Sequence, residues 1–144
     1  MFDHDELLLP VDTFGSSWDP SADGHCTLID SAQSLGAKWN DTSPTRIVSL
    51  SGSKIITTGE GGLILTQDKE IADFVLGNSW FSRMGEMQAA LGLAYLEKLD
   101  DILAKKHNIL ATYKMRFPKV QWQRTGESNH YIIAGLVDSP RVWM

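Results

Sequence analysis

Three short apolar runs, none alternating with polar residues, limit most strongly what this chain can fold into. They are Cys26-Thr27-Leu28-Ile29-Asp30, Arg46-Ile47-Val48-Ser49-Leu50 and Leu63-Ile64-Leu65-Thr66. Runs of this kind read as strands covered on both faces, which is the habit of sheets packed between helices. Turn-rich segments precede them: Asp12-Thr13-Phe14-Gly15-Ser16-Ser17 and Asp19-Pro20-Ser21-Ala22-Asp23-Gly24. A linker containing Pro44 leads into the second run, and Gly59-Glu60-Gly61-Gly62 leads into the third.

A helical period follows. Gln67-Asp68 offers a turn and an N-cap ahead of Lys69 to Leu76. From about Glu86 to Phe117 apolar residues recur near helical spacing, through Ala89, Leu93, Leu96, Leu103, Leu110 and Tyr113. This predicts one long helix that Pro118 stops. His130 to Val137 reads as a last strand. The expected architecture is α/β.

Composition narrows the function. The 144 residues include 42% hydrophobic and 22% charged residues, the balance of a globular protein. A formal net charge of -5 argues against a nucleic acid or an anionic membrane surface as partner, because these are held by clustered Lys and Arg. The one basic pair, Lys105-Lys106, lies in the helical pattern and reads as a solvated face. No apolar stretch approaches the roughly 20 residues needed to span a bilayer. A single cysteine, Cys26, excludes an internal disulfide and makes a reducing cytoplasm the expected compartment. His4, His25 and His107 lack ligand-like spacing and no metal is expected, while His130, near a strand start, is a candidate to approach substrate.

One group of residues carries chemistry. Asp30 ends the first strand, Ser49 and Lys54 lie at the end of the second, and the glycine cluster follows. In open α/β sheets ligands bind off the carboxyl ends of strands, so these side chains are expected to converge. Ser51-Gly52-Ser53-Lys54 suggests a phosphate loop, but Ile55 stands where such a loop needs Ser or Thr, and the upstream glycine is missing.

These residues resemble a known family. Leu28-Ile29-Asp30-Ser31-Ala32-Gln33-Ser34-Leu35-Gly36-Ala37 resembles the Asp-x-Ala-Gln segment of the DegT/DnrJ/EryC1/StrS family. Ser49-Leu50-Ser51-Gly52-Ser53-Lys54 followed by Thr57-Thr58-Gly59-Glu60-Gly61-Gly62 is similar to its lysine segment. Arg83-Met84-Gly85-Glu86-Met87-Gln88-Ala89-Ala90 is similar to its Arg-Met helix, and Ser128-Asn129-His130-Tyr131 to the entry into its small domain.

The resemblance implies a pyridoxal-phosphate (PLP) aminotransferase of aspartate aminotransferase fold type I. Its large domain has a mostly parallel sheet with flanking helices, joined by a long helix to an α+β small domain. Residues 1–95 would belong to the large domain, 96–118 to the connecting helix and 119–144 to the start of the small domain. The implied reaction moves an amino group from a donor such as glutamate to a nucleotide-linked keto sugar, in a homodimer. Lys54 would condense with the cofactor aldehyde and later move a proton, a task suited to a lysine. Asp30 would pair with the pyridine nitrogen, Gln33 with the ring hydroxyl, and Ser49 and Ser51 with the phosphate, while Ala32 would leave room for the flat ring.

Members of the family are much longer than 144 residues, so a fragment is expected, inactive by itself. Phe81 stands where members often have an Asn that reaches the neighbouring subunit's cofactor. Some members replace the lysine with His and remove a hydroxyl; Lys54 argues against that chemistry. Two other readings compete: a remnant that never holds PLP, and a phosphate- or nucleotide-binding module on Ser51 to Lys54.

Overall fold

The computed structural model describes residues 9–18, 28–39, 45–79, 82–123 and 128–138. Its first unit is a three-stranded sheet of β1 (Ile29–Asp30), β2 (Thr45–Ser49) and β3 (Gly62–Thr66), in that order. β1 runs parallel to β2, with Asp30 opposite Ile47. β2 and β3 are antiparallel, Thr45 opposite Thr66 and Ser49 opposite Gly62. The β2–β3 connection carries no helix, and a return without a crossover must be antiparallel. Val11 adds a parallel bridge to Asp30 on the outer side of β1.

The glycine cluster makes the turn into β3. Gly59 and Gly61 have φ of 83° and 123°, which side chains other than glycine rarely adopt. At Gly62 a Cβ would lie 2.8 Å from the Val48 carbonyl oxygen, so the two strands meet closely there.

Three helices follow. Asp68 caps α1 (Lys69–Asn78), its carboxylate accepting from the Glu70 and Ile71 amides. The expected long helix is two: α2 (Glu86–Leu96) and α3 (Leu99–Arg116). Neither Gly nor Pro marks the break. The Lys98 amide reaches only three residues back, to Tyr95, and the ordinary spacing resumes when Ile102 bonds Lys98. Tyr95, Leu99 and Ile102 all pack on one cluster of Val48, Leu50 and Ile56. Their helical spacing passes through the break, which is why the sequence reads as continuous.

The last elements are β4 (Gln121–Trp122) and β5 (Gly135–Leu136), an antiparallel pair. The strand expected from His130 is thus only its final part. His130 has φ of 51° and turns the chain, which a strand does not allow.

Burial is uneven. Among the described residues, Ile29, Val48, Leu50 and Ile56 are the buried hydrophobic ones. Ile47 and its cross-strand partner Ile64 stay exposed, as does Leu65 on the opposite side. The described residues therefore leave apolar surface uncovered on both faces of the sheet.

A polar core lies behind β1. Asp12 is 0% exposed, and Arg46 bonds it at 3.0 Å. Ser31 and Ser34 donate to the same carboxylate at 2.8 and 2.6 Å, and the Trp18 amide donates at 2.7 Å. The Trp39 indole donates to Ser34, and Arg46 lies 4.9 Å from the Trp39 ring centroid. Removing one partner of a buried ion pair strands the other charge. Asp12→Ala is expected to lower unfolding free energy by about 3–5 kcal/mol. Asp73→Ala, which breaks the exposed Lys69–Asp73 pair, should leave the urea midpoint near wild type.

Candidate functional site

β1 and β2 end on the same edge of the sheet because they are parallel. Beyond β1 the chain makes a tight turn, with Ser34 N–H bonded to the Ser31 carbonyl. Beyond β2 it makes another, with Lys54 N–H bonded to the Ser51 carbonyl. Between these turns lies a small cleft. Ala32, Gln33 and Leu35 line it from the first turn, Ser49, Lys54, Ile55 and Ile56 from the second, and Asn129 and Tyr131 from the far end of the chain.

Four of the six residues singled out in the sequence thus share one lining: Ala32, Gln33, Ser49 and Lys54. Asp30 and Ser51 are not in it. Asp30 sits one step back in β1, and one carboxylate oxygen accepts the Ala32 amide at 3.0 Å. Ser51 lies beside the lining, its hydroxyl 3.2 Å from that of Ser49, which donates to it.

The Gln33 amide is oriented by the first loop. The Phe14 N–H donates to Gln33 Oε1 at 2.8 Å. That leaves the NH₂ as the end that can donate to a ligand. Lys54 Nζ lies 5.1 Å from the centroid of the Tyr131 ring, within cation–π range. The Tyr131 hydroxyl is 3.4 Å from that of Ser53.

The cleft volume is about 10 Å³, roughly the room for one water. A groove of about 760 Å³ runs along β4 and β5, but its lining (Phe14, Val120 and Trp122 among it) contains no titratable or nucleophilic side chain. Chemistry therefore selects the smaller cleft. Its donor set suits a flat anionic aromatic ligand carrying an aldehyde: an amine, an amide, a hydroxyl and a neighbouring carboxylate. A volume this small does not admit an aromatic ring.

Asp12, Arg46 and Asn129 carry much of this arrangement and were not anticipated. Arg83 is exposed. Glu60 is exposed, and its carbonyl accepts from Thr58. Phe81 and Cys26 lie outside the described residues. Among the described residues no cluster of three potential metal ligands occurs.

A family model for the DegT/DnrJ/EryC1/StrS aminotransferases matches residues 21–79 and 74–134, most of the chain. The chain belongs to this family.

Members differ in reaction. The GDP-perosamine synthase of Caulobacter vibrioides is 30% identical over 143 residues, covering 80% of this chain and 38% of that protein. Among solved structures, an Escherichia coli GDP-4-keto-6-deoxy-D-mannose-3-dehydratase with bound hydrated PLP superposes with a TM-score of 0.76 at 20% identity. It covers 97% of this chain and 49% of that one. The aminotransferase PseC of Helicobacter pylori, involved in pseudoaminic acid biosynthesis, gives 0.71 at 22% identity, covering 87% and 43%. These likenesses establish the type I PLP-transferase fold. The chain spans about two fifths of the length of the Caulobacter relative.

His130 is not in the cleft lining. Its ring packs edge-on against His107, centroids 4.4 Å apart. Burial pushes its pKa below the ordinary 6.5, helped by the charges of His107, Lys114 and Lys106. The unfolded chain therefore binds the proton more readily, and stability conferred by a neutral His130 is lost as pH falls from 6.5 through its folded value. Urea midpoints at pH 7.5 and 5.5 should differ less in His130→Gln than in the wild type; equal differences would contradict this.

Proposed function

We propose that this chain carries the amine-bearing site of a PLP-dependent aminotransferase that acts on a nucleotide-linked keto sugar. The observation that supports this best is the shared cleft of Lys54, Gln33, Ala32 and Ser49 off the carboxyl ends of β1 and β2. The acceptor class rests on the family and on the named relatives. Glutamate as donor, a homodimer and a cytoplasmic setting belong to the same reading. So does the division into large domain (1–95), linking helix (96–118) and start of the small domain (119–144). No helix among the described residues is long and apolar enough to cross a membrane.

Bound in the cleft, PLP would supply an electron-withdrawing ring for the charge that builds as the amino-bearing carbon loses its proton. Lys54 would hold the cofactor through its Nζ and, once released, would carry that proton. Asp30 places a carboxylate to hold a proton on the pyridine nitrogen by charge. Gln33, with its oxygen tied to Phe14, offers its NH₂ to the ring oxygen. Ser49 and Ser51 would hold the phosphate through their hydroxyls, Ser49 by turning its proton from Ser51. Ala32 presents only a methyl group, leaving a flat face.

The nucleotide-binding alternative fits less well. A phosphate loop needs free backbone N–H groups, and the Lys54 N–H is bonded to the Ser51 carbonyl. Mixed with PLP, the wild-type chain is expected to develop a visible absorbance band that Lys54→Ala lacks and Asp30→Asn retains. Gln33→Ala should weaken PLP binding about fivefold, the worth of one hydrogen bond. Identical spectra for wild type and Lys54→Ala would overturn the proposal and favour a remnant that does not hold PLP. Magnesium-dependent nucleotide binding unaffected by Asp30→Asn would favour the phosphate module.

A further inference from the structure

Asn129 is 1% exposed and uses its side chain at both ends. Its NH₂ donates to the carbonyls of Gln33 at 2.9 Å and Leu35 at 2.8 Å. Its side-chain oxygen accepts the Tyr131 amide at 2.7 Å. Its own backbone N–H donates to the Gly15 carbonyl at 3.0 Å. Gly15 has φ of 85°, and a Cβ there would lie 2.0 Å from the Asn129 oxygen. Only glycine lets the loop and the asparagine share that space.

Between Asn129 and Tyr131 the chain turns through His130 at φ 51°. A positive φ at a histidine costs free energy and persists where surrounding contacts over-determine it. Here Asn129 closes the turn from one side, and the Ser128 hydroxyl accepts the His130 amide at 3.0 Å from the other. Lys106 adds a bond to the Tyr131 carbonyl at 3.4 Å. The Tyr131 backbone is therefore fixed. Among the described polar and ring contacts, its ring has a long hydroxyl contact to Ser53 and the cation–π contact to Lys54.

We propose that Tyr131 is a ligand-contacting residue of the Lys54 cleft, a ring that covers the free amine and packs against the group the amine carries, with Asn129 and Gly15 as its positioning residues. This rests on the PLP reading for the identity of that group. It does not rest on it for the cover itself. The fixed backbone and loosely held ring divide the work: the pivot stays, and the ring turns aside to admit a ligand. The small cleft volume follows from the covered state.

Labelling of Lys54 by a small aldehyde with borohydride trapping, mapped by mass spectrometry, reads the cover directly. Exposed Lys69 and Lys105 serve as internal references. Relative to them, Tyr131→Ala should label Lys54 about two- to fivefold faster, the range set by an exposed cation–π contact. Tyr131→Phe keeps the ring and should stay near wild type. Gly15→Ala, which touches neither Lys54 nor Tyr131's ring, should move labelling in the direction of Tyr131→Ala. Asn129→Ala should do the same if its circular dichroism remains native, and if it unfolds, the other variants decide. In parallel, Tyr131→Ala should weaken PLP binding by a similar factor. Unchanged Lys54 labelling in Tyr131→Ala overturns the cover. A wild-type chain that forms no lysine-dependent band with PLP, while labelling still responds, overturns the function but not the cover. A band with equal PLP affinity in wild type and Tyr131→Ala overturns the contact.

Discussion

The buried pairing of Asp12 with Arg46 is the interaction on which the site depends. Both groups are out of water, and an isolated charge there would be untenable. The pairing joins three pieces of chain: the loop before β1, the turn after it, and β2. Ser31 and Ser34 turn inward to complete the carboxylate's hydrogen bonds. Ala32 and Gln33, between them, line the cleft. Four consecutive residues thus serve two environments, one sealed and ionic, the other open to a ligand. Buried pairs of this kind are poor sources of net stability, but they penalise other arrangements heavily.

The second constraint comes from the opposite end of the chain. Ser128 to Tyr131 is bonded to the Gly15 loop and to the Gln33–Leu35 turn, so a segment that follows α3 completes a cleft begun before β2. Relatives with this fold differ in chemistry, an aminotransferase and a dehydratase among them. A shared scaffold does not fix the reaction. Under the proposed function, position 54 would separate those chemistries, and here it is a lysine.

What could be read from the sequence was local. The second and third apolar runs became β2 and β3, and Asp68 capped its helix as its position suggested. The grouping of Lys54 with Gln33, Ala32 and Ser49 followed from strand ends and from the family resemblance. What could not be read depends on distant partners. Nothing around Asp12 distinguishes it from a turn residue, since its partner lies in another apolar run. Asn129 looks like an ordinary loop amide until its two carbonyl partners are brought to it. The final strand was overestimated because Ile132, Ile133 and Val137 carry strand preference, whereas the turn at His130 is imposed by Asn129. The helix break leaves apolar spacing intact and so leaves no mark on the pattern.

The reach of the Asn129 clamp also bears on when the site comes into being. Its partners at Gly15 and Gln33 are separated from it by nearly the whole described chain. Closing so long a loop is entropically unfavourable until the intervening sheet and helices have formed. The sheet can organise early, from neighbouring strands. The cleft cannot, because one wall is missing until the chain beyond α3 has been synthesised and docked. A nick between α3 and Ser128 would spare β1, β2 and β3 and still dismantle the recess.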